Sequence, residues 1–142
     1  MTLLGCVLTL ILSLAMSVRS GTGPAGKDFC YYAKAGLWGE EFRLSFTNSS
    51  HMAYRVTEFF IPSPGKSRFP SIIVRGIPYK YNATSGIIDA DTKSIAYNIF
   101  YRNVKSSDMH RIQYDESVDE VKLKIRYELV QRRKYRTFRR CY

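Results

Sequence analysis

The stretch Val121-Lys122-Leu123-Lys124-Ile125-Arg126-Tyr127-Glu128-Leu129 decides the fold. Its apolar members at 121, 123, 125, 127 and 129 alternate with charged ones. A period of two puts the two sets on opposite faces of an extended strand. Val121, Ile125 and Leu129 also fit a helical row, but a helix would move Leu123 and Tyr127 to another face, so the strand is the better description. The run continues into Gln131-Arg132-Arg133-Lys134-Tyr135-Arg136-Thr137-Phe138-Arg139-Arg140, a basic and aromatic tail that ends at Cys141 and Tyr142.

Upstream of this strand the same alternation recurs. Phe42, Leu44 and Phe46 are separated by Arg43 and Ser45, and Met52, Tyr54 and Val56 behave alike until Phe59-Phe60 shifts the phase. That shift predicts a bulge or a bend between sheets. Ser71 to Arg75 is apolar and β-branched, and Pro78 in its continuation predicts an edge strand or an interruption. Ile95, Tyr97, Ile99 and Tyr101 form the second cleanest strand pattern, and Met109 to Tyr114 a short one. Turn-forming residues at Asn82–Gly86, Asp89–Lys93, Lys105–Asp108 and Asp115–Ser117 divide these runs. About seven strands, roughly 8–15 residues apart and without an amphipathic helix, predict an all-β, single antiparallel domain, a sandwich or a small barrel.

The first twenty residues stand apart. Leu3 to Met16 is apolar except for Thr9 and Ser13, and small residues allow cleavage after Ser17 or Ser20. This reads as a signal peptide over 1–20, too short for a membrane span of roughly 20 apolar residues. Residues 21–142 then form a single secreted, extracellular domain with no transmembrane segment. Removing the leader discards Cys6 and leaves Cys30 and Cys141. Within one chain they allow a single bridge, joining the termini and worth about 4–5 kcal/mol in the chain-entropy model. The alternative is that Cys141 bonds a second chain. Asn48-Ser49-Ser50 and Asn82-Ala83-Thr84 are glycosylation sequons among turn-like residues, in keeping with a glycoprotein.

The chain carries a formal charge of +10, placed unevenly. Residues 1–120 hold 13 cations against 11 carboxylates (+2), and residues 121–142 hold 9 against 1 (+8). Lys122, Lys124, Arg126, Arg132, Arg133, Lys134, Arg136, Arg139 and Arg140 form a basic array interleaved with aromatic residues. Such an array attracts polyanions by counterion release, and arginine adds bidentate geometry for sulfate, phosphate and carboxylate. For a secreted protein the accessible partners are a glycosaminoglycan, an anionic surface or an acidic extracellular protein; the leader disfavours nucleic acid. Solubility and edge-strand protection are the competing account, and the dibasic pairs Arg132-Arg133 and Arg139-Arg140 allow proteolytic processing. The acidic residues Asp115, Glu116, Asp119 and Glu120 either pair with these cations or form a solvated turn.

No catalytic motif is found. His51 and His110 are the only histidines, and the sequence contains no G-x-S-x-G, H-E-x-x-H or C-x-x-C. Gly65-Lys66-Ser67 imitates a phosphate-binding loop, but Phe60 stands where its first glycine must be. Asp89 and Asp91 lack the further oxygens of a calcium loop. The expectation is a non-enzymatic protein without metal or cofactor.

Gly36-Leu37-Trp38, at the opening of the first expected strand, resembles the G-x-W signature of the lipocalins. The resemblance spans these three residues. It implies an up-and-down barrel carrying a small apolar ligand, with Trp38, Phe42, Phe46, Tyr97 and Tyr101 as the lining. Without it, the same aromatic residues fill a core.

Overall fold

The computed structural model describes residues 22–61, 71–93, 103–126 and 133–142. The leader and the strand expected at 95–101 lie outside these residues. Eight strands are described: β1 (Lys27–Ala35), β2 (Trp38–Phe46), β3 (His51–Phe60), β4 (Ile72–Asn82), β5 (Ile87–Ala90), β6 (Ile112–Asp115), β7 (Glu120–Ile125) and β8 (Lys134–Arg140). One helical turn, α1 (Ser106–Met109), precedes β6. Each strand pairs antiparallel with its sequence neighbour, and β8 returns to β1, so the sheet closes as an all-β, eight-stranded up-and-down barrel.

The alternation read from sequence sorts side chains between the inside and the outside. Phe42, Leu44 and Phe46 face inward on β2, Met52, Tyr54 and Val56 on β3, and Val121, Leu123 and Ile125 on β7; all are buried. An eight-stranded barrel is just wide enough for its side chains to fill.

The Phe59-Phe60 phase shift is not a bulge. β2 and β3 stay in register from Trp38↔Phe60 to Phe46↔Met52. Phe60 continues the inward series and packs on Trp38 with ring centroids 5.0 Å apart. Phe59 faces the other way and covers Gly39, where an added Cβ would stand 2.4 Å from its ring. Both aromatics are used, one on each face. The irregularity lies on β4 instead, where Arg75 and Gly76 stand opposite Ala53 alone, between the pairs Met52↔Ile77 and Tyr54↔Val74. Gly76 takes a positive φ of 68° there, which favours glycine. Pro78 is not on an edge strand: it pairs with His51, and its carbonyl accepts from Asp91 just past the end of β5. The ladder hydrogen bond proline cannot donate falls where that neighbour has run out.

The barrel has two unlike poles. The turn pole carries the β2–β3, β4–β5 and β6–β7 turns, the start of β1, the end of β8 and an aromatic plug: Phe29 meets Phe46 and Tyr114 at 5.9 Å each, and Phe46 meets Tyr79 at 5.2 Å, all edge-on. Gly23 and Pro24 are buried over this plug, Gly23 against Tyr81. At the opposite pole, called here the loop pole, α1 sends Met109 inward and Val104 is buried beside it. Asn103 closes this pole by exchanging hydrogen bonds with the backbone of Arg126.

Cys30 and Cys141 form the disulfide expected from the cysteine count. Cys141 follows β8, and its N–H donates to Asp28 at 3.0 Å, so the bridge staples the seam between first and last strands.

Candidate functional site

The basic end is not one strand running into a tail. β7 and β8 are an antiparallel pair with Val121 opposite Phe138, Leu123 opposite Arg136 and Ile125 opposite Lys134. Directly opposed residues share a face, so the pairing divides the expected array. Lys122 and Lys124 share the outer face with Thr137 and Tyr135. Arg136 sits on the inner-facing register beside buried Leu123, its guanidinium 5.8 Å from the Tyr31 ring centroid.

Ion pairs divide it further. Arg133 reaches Asp108 at 2.7 Å, Arg139 reaches Glu120 at 2.9 Å, and Arg140 lies 3.8 Å from Asp119. Two of the four acidic residues near the β6–β7 turn therefore pair with the basic end. Lys122, Lys124, Arg126 and Lys134 make no ion pair among the described residues and face solvent wholly or in part. Arg132 lies outside the described residues.

Aromatic side chains complete this face. Tyr135 is 51% exposed, with the Lys124 ammonium 5.9 Å from its ring centroid. Tyr32, also 51% exposed, and the exposed Lys34 extend the surface onto β1. Sequence reasoning missed these two because β1 itself was missed. Its Phe29, Tyr31 and Ala33 alternate with Asp28, Cys30, Tyr32 and Lys34, but adjacent Tyr31 and Tyr32 blur the pattern.

For the expected ligand lining, Phe42 and Phe46 are buried in the barrel. Trp38 is half-buried at the start of β2, so Gly36-Leu37-Trp38 is the β1–β2 turn and enters the second strand, not the first. Tyr97 and Tyr101 lie outside the described residues. Towards the loop pole the inward register turns polar, with Glu40 opposite Glu58 and Tyr54 fully buried nearby. Burial, and then the charge of Glu40, push the Tyr54 hydroxyl well above its ordinary range.

The turn pole holds a different network. Lys27 Nζ donates to the Tyr114 hydroxyl at 2.7 Å and to Asp119 at 2.9 Å, and that hydroxyl donates to Asp119 at 2.7 Å. Burial alone would raise the Asp119 carboxyl, but hydrogen bonds from Tyr114 and Lys27 outweigh it and hold the group below its usual value. Burial would lower Lys27, yet its hydrogen bonds to Tyr114 and Asp119 raise it. Both sequons lie at this pole. Asn48 is exposed in the β2–β3 turn, its side-chain oxygen accepting from Ser50 and His51; Asn82 is exposed at the end of β4, accepting from Thr84 and Ser85.

Among the described residues, no group of three or more His, Cys, Asp or Glu side chains is placed to hold a metal, and no helix is long and apolar enough to cross a membrane. Asp91 caps its own turn through the Lys93 N–H, and Asp89 pairs with His110 at an exposed position. Comparison of the chain with protein-family models, with curated proteins and with solved structures finds no match.

Proposed function

We propose that the protein is a secreted, N-glycosylated, non-enzymatic binding protein. It engages a polyanionic extracellular partner, a glycosaminoglycan before an anionic surface or an acidic protein, through the outer face of β7, β8 and β1. Lys134 joins this face at the loop pole, exposed at the start of β8 although it stands on the inward register opposite Ile125. The observation that carries this reading is the set Lys122, Lys124, Arg126 and Lys134, which makes no ion pair among the described residues, beside the half-exposed rings of Tyr135 and Tyr32. Ammonium groups supply charge to sulfate or carboxylate, and flat rings pack on sugar. Arg133 and Arg139 contribute less, because their charges are already answered, and Arg140 shares Asp119 with Lys27.

The test is elution from immobilised heparin beside a matched cation exchanger. Lys122→Ser, Lys124→Ser and Lys134→Ser together are expected to lower the heparin salt midpoint more than the exchanger midpoint, whereas Arg139→Ser changes it little. Equal shifts on both columns would reduce the face to generic charge.

The closed up-and-down barrel supports a second reading, a lipocalin-like carrier of a small apolar ligand. Such a ligand would enter at the loop pole, where Glu40, Glu58 and Arg136 lie on the inward register. Quenching of Trp38 by a fluorescent fatty-acid analogue, displaced by unlabelled acid, would favour it; no saturable binding would remove it.

A further inference from the structure

The barrel wall of β2, β3 and β4, four strands round from β7, carries an open groove of about 440 Å³. Arg43 and Arg55 are cross-strand partners on its outer face, which places two like charges side by side. One carboxylate answers both: Glu41 accepts from Arg43 at 3.1 Å and from Arg55 at 3.0 Å. Asp28 stands more distantly, 3.8 Å from Arg43. Arg75 adds a third guanidinium to the lining and has no carboxylate partner among the described residues.

The β4 bulge builds this groove. Because two residues oppose Ala53, both Arg75 and Gly76 face outward. The floor is then Ala53 and Gly76, both small, between walls of long arginines. A bulge that re-aims a side chain beside a concavity is a recurrent feature of binding sites. A second observation points the same way: Arg55 Nε is buried and donates to nothing among the described residues. Buried donors are ordinarily satisfied. Ser45 and Thr47 add hydroxyl groups, and no carboxylate lines the groove.

We propose that this groove binds a sulfate or phosphate monoester group. Planar guanidinium forks converge on such a tetrahedral oxyanion with paired hydrogen bonds. The volume exceeds that of one oxyanion and leaves room for the ring that bears it, with Ile73, 42% exposed, as an apolar lip. The site shares its ligand chemistry with the β7–β8 face but none of its residues.

The experiment titrates the intact protein with phenyl sulfate and, separately, phenyl phosphate, following ¹⁵N-resolved NMR shifts. The amides of Ala53, Gly76 and Ser45 and the Arg55 Nε–H signal are expected to move with one dissociation constant. Arg75→Ser, an exposed position, should weaken binding on the order of tenfold. Arg55→Lys, which keeps the charge but loses Nε and the fork, should do the same. Lys122→Ser with Lys124→Ser should change nothing here. The stronger probe identifies the oxyanion. Shifts absent from the groove, or affinity unchanged in Arg75→Ser, overturn the proposal. Loss confined to the Lys122/Lys124 variant overturns the groove and leaves the β7–β8 face standing.

Discussion

Replacing Cys30 and Cys141 together by serine removes the seam staple without leaving a free thiol. The two residues are 111 apart in sequence. Closing a loop of that length withdraws about 5 kcal/mol of chain entropy from the unfolded state. The total stability of a small domain is only about 5–15 kcal/mol, so the loss is a large share of it. The seam has little else in its ladder: Phe29↔Arg140 and Cys30↔Arg139 are its register pairs, whereas β1 and β2 match over nine. Its remaining support is the Cys141 N–H bond to Asp28 and side-chain packing, with Tyr31 and Phe138 rings 5.7 Å apart. Urea unfolding followed by Trp38 fluorescence and by circular dichroism measures the effect. The midpoint should fall strongly, and the slope should rise because an uncrosslinked chain exposes more surface when unfolded. Wild-type protein in reductant should follow the variant. A loss below about 1 kcal/mol would refute the argument, and would mean that packing alone closes the barrel.

The other predictions concern the turn pole and the glycines. Asp119 has a lowered pKa, so its stabilisation is complete above the unfolded carboxyl value and is lost as pH falls through the folded one. Asp119→Asn should flatten the acid limb of a melting-temperature profile and cost about 1 kcal/mol at neutral pH, a figure held down by solvent screening. Asn tolerates the positive φ of 52° at this position, so the backbone should not confound the result. An unchanged acid limb would dismiss the network. Lys27 has a raised pKa, so its contribution is lost only as pH rises through that elevated value, and Lys27→Met should blunt the alkaline limb. Gly76→Ala and Gly86→Ala both meet a positive φ, of 68° and 69°. At Gly86 the new Cβ also stands 2.7 Å from the Tyr114 carbonyl oxygen, while at Gly76 it meets nothing within 4 Å. Urea midpoints should show a loss of about 1 kcal/mol at Gly76 and a clearly larger one at Gly86; equal losses would contradict the stated clash.

The all-β class and the bridge were legible because each rests on a local signal, a period of two in one case and two remaining thiols in the other. What sequence could not supply was the partner of each strand. Val121 to Ile125 was readable as a strand, but whether Lys134 to Arg140 prolonged it or folded back depends on a hydrogen-bonded neighbour that no periodicity names. This is why Arg136 and Lys122 read as members of one array in the sequence and stand on opposite faces in the fold. The Arg43–Arg55–Arg75 cluster was hidden for the same reason. Those residues are about twelve and twenty positions apart in sequence and meet only through register. Phe59-Phe60 misled because adjacent aromatics look like a phase error unless Gly39 is known to lie opposite Phe59.

The seam between β1 and β8 also bears on how the chain reaches its final state. Every other pair among the described strands joins elements adjacent in that order, so the first seven described strands can zip together as hairpins as they emerge. β8 comes last, and until it docks the half-built sheet shows two open edges, one along β1 and one along β7. Exposed edges invite another chain, and the most non-local contact is the slowest to form. The β8 of a second molecule offers the same inward Phe138 and the same following cysteine as the chain's own. Late closure thus makes strand exchange the natural misassembly of this barrel, and an exchanged pair would carry its Cys30–Cys141 bridges between chains.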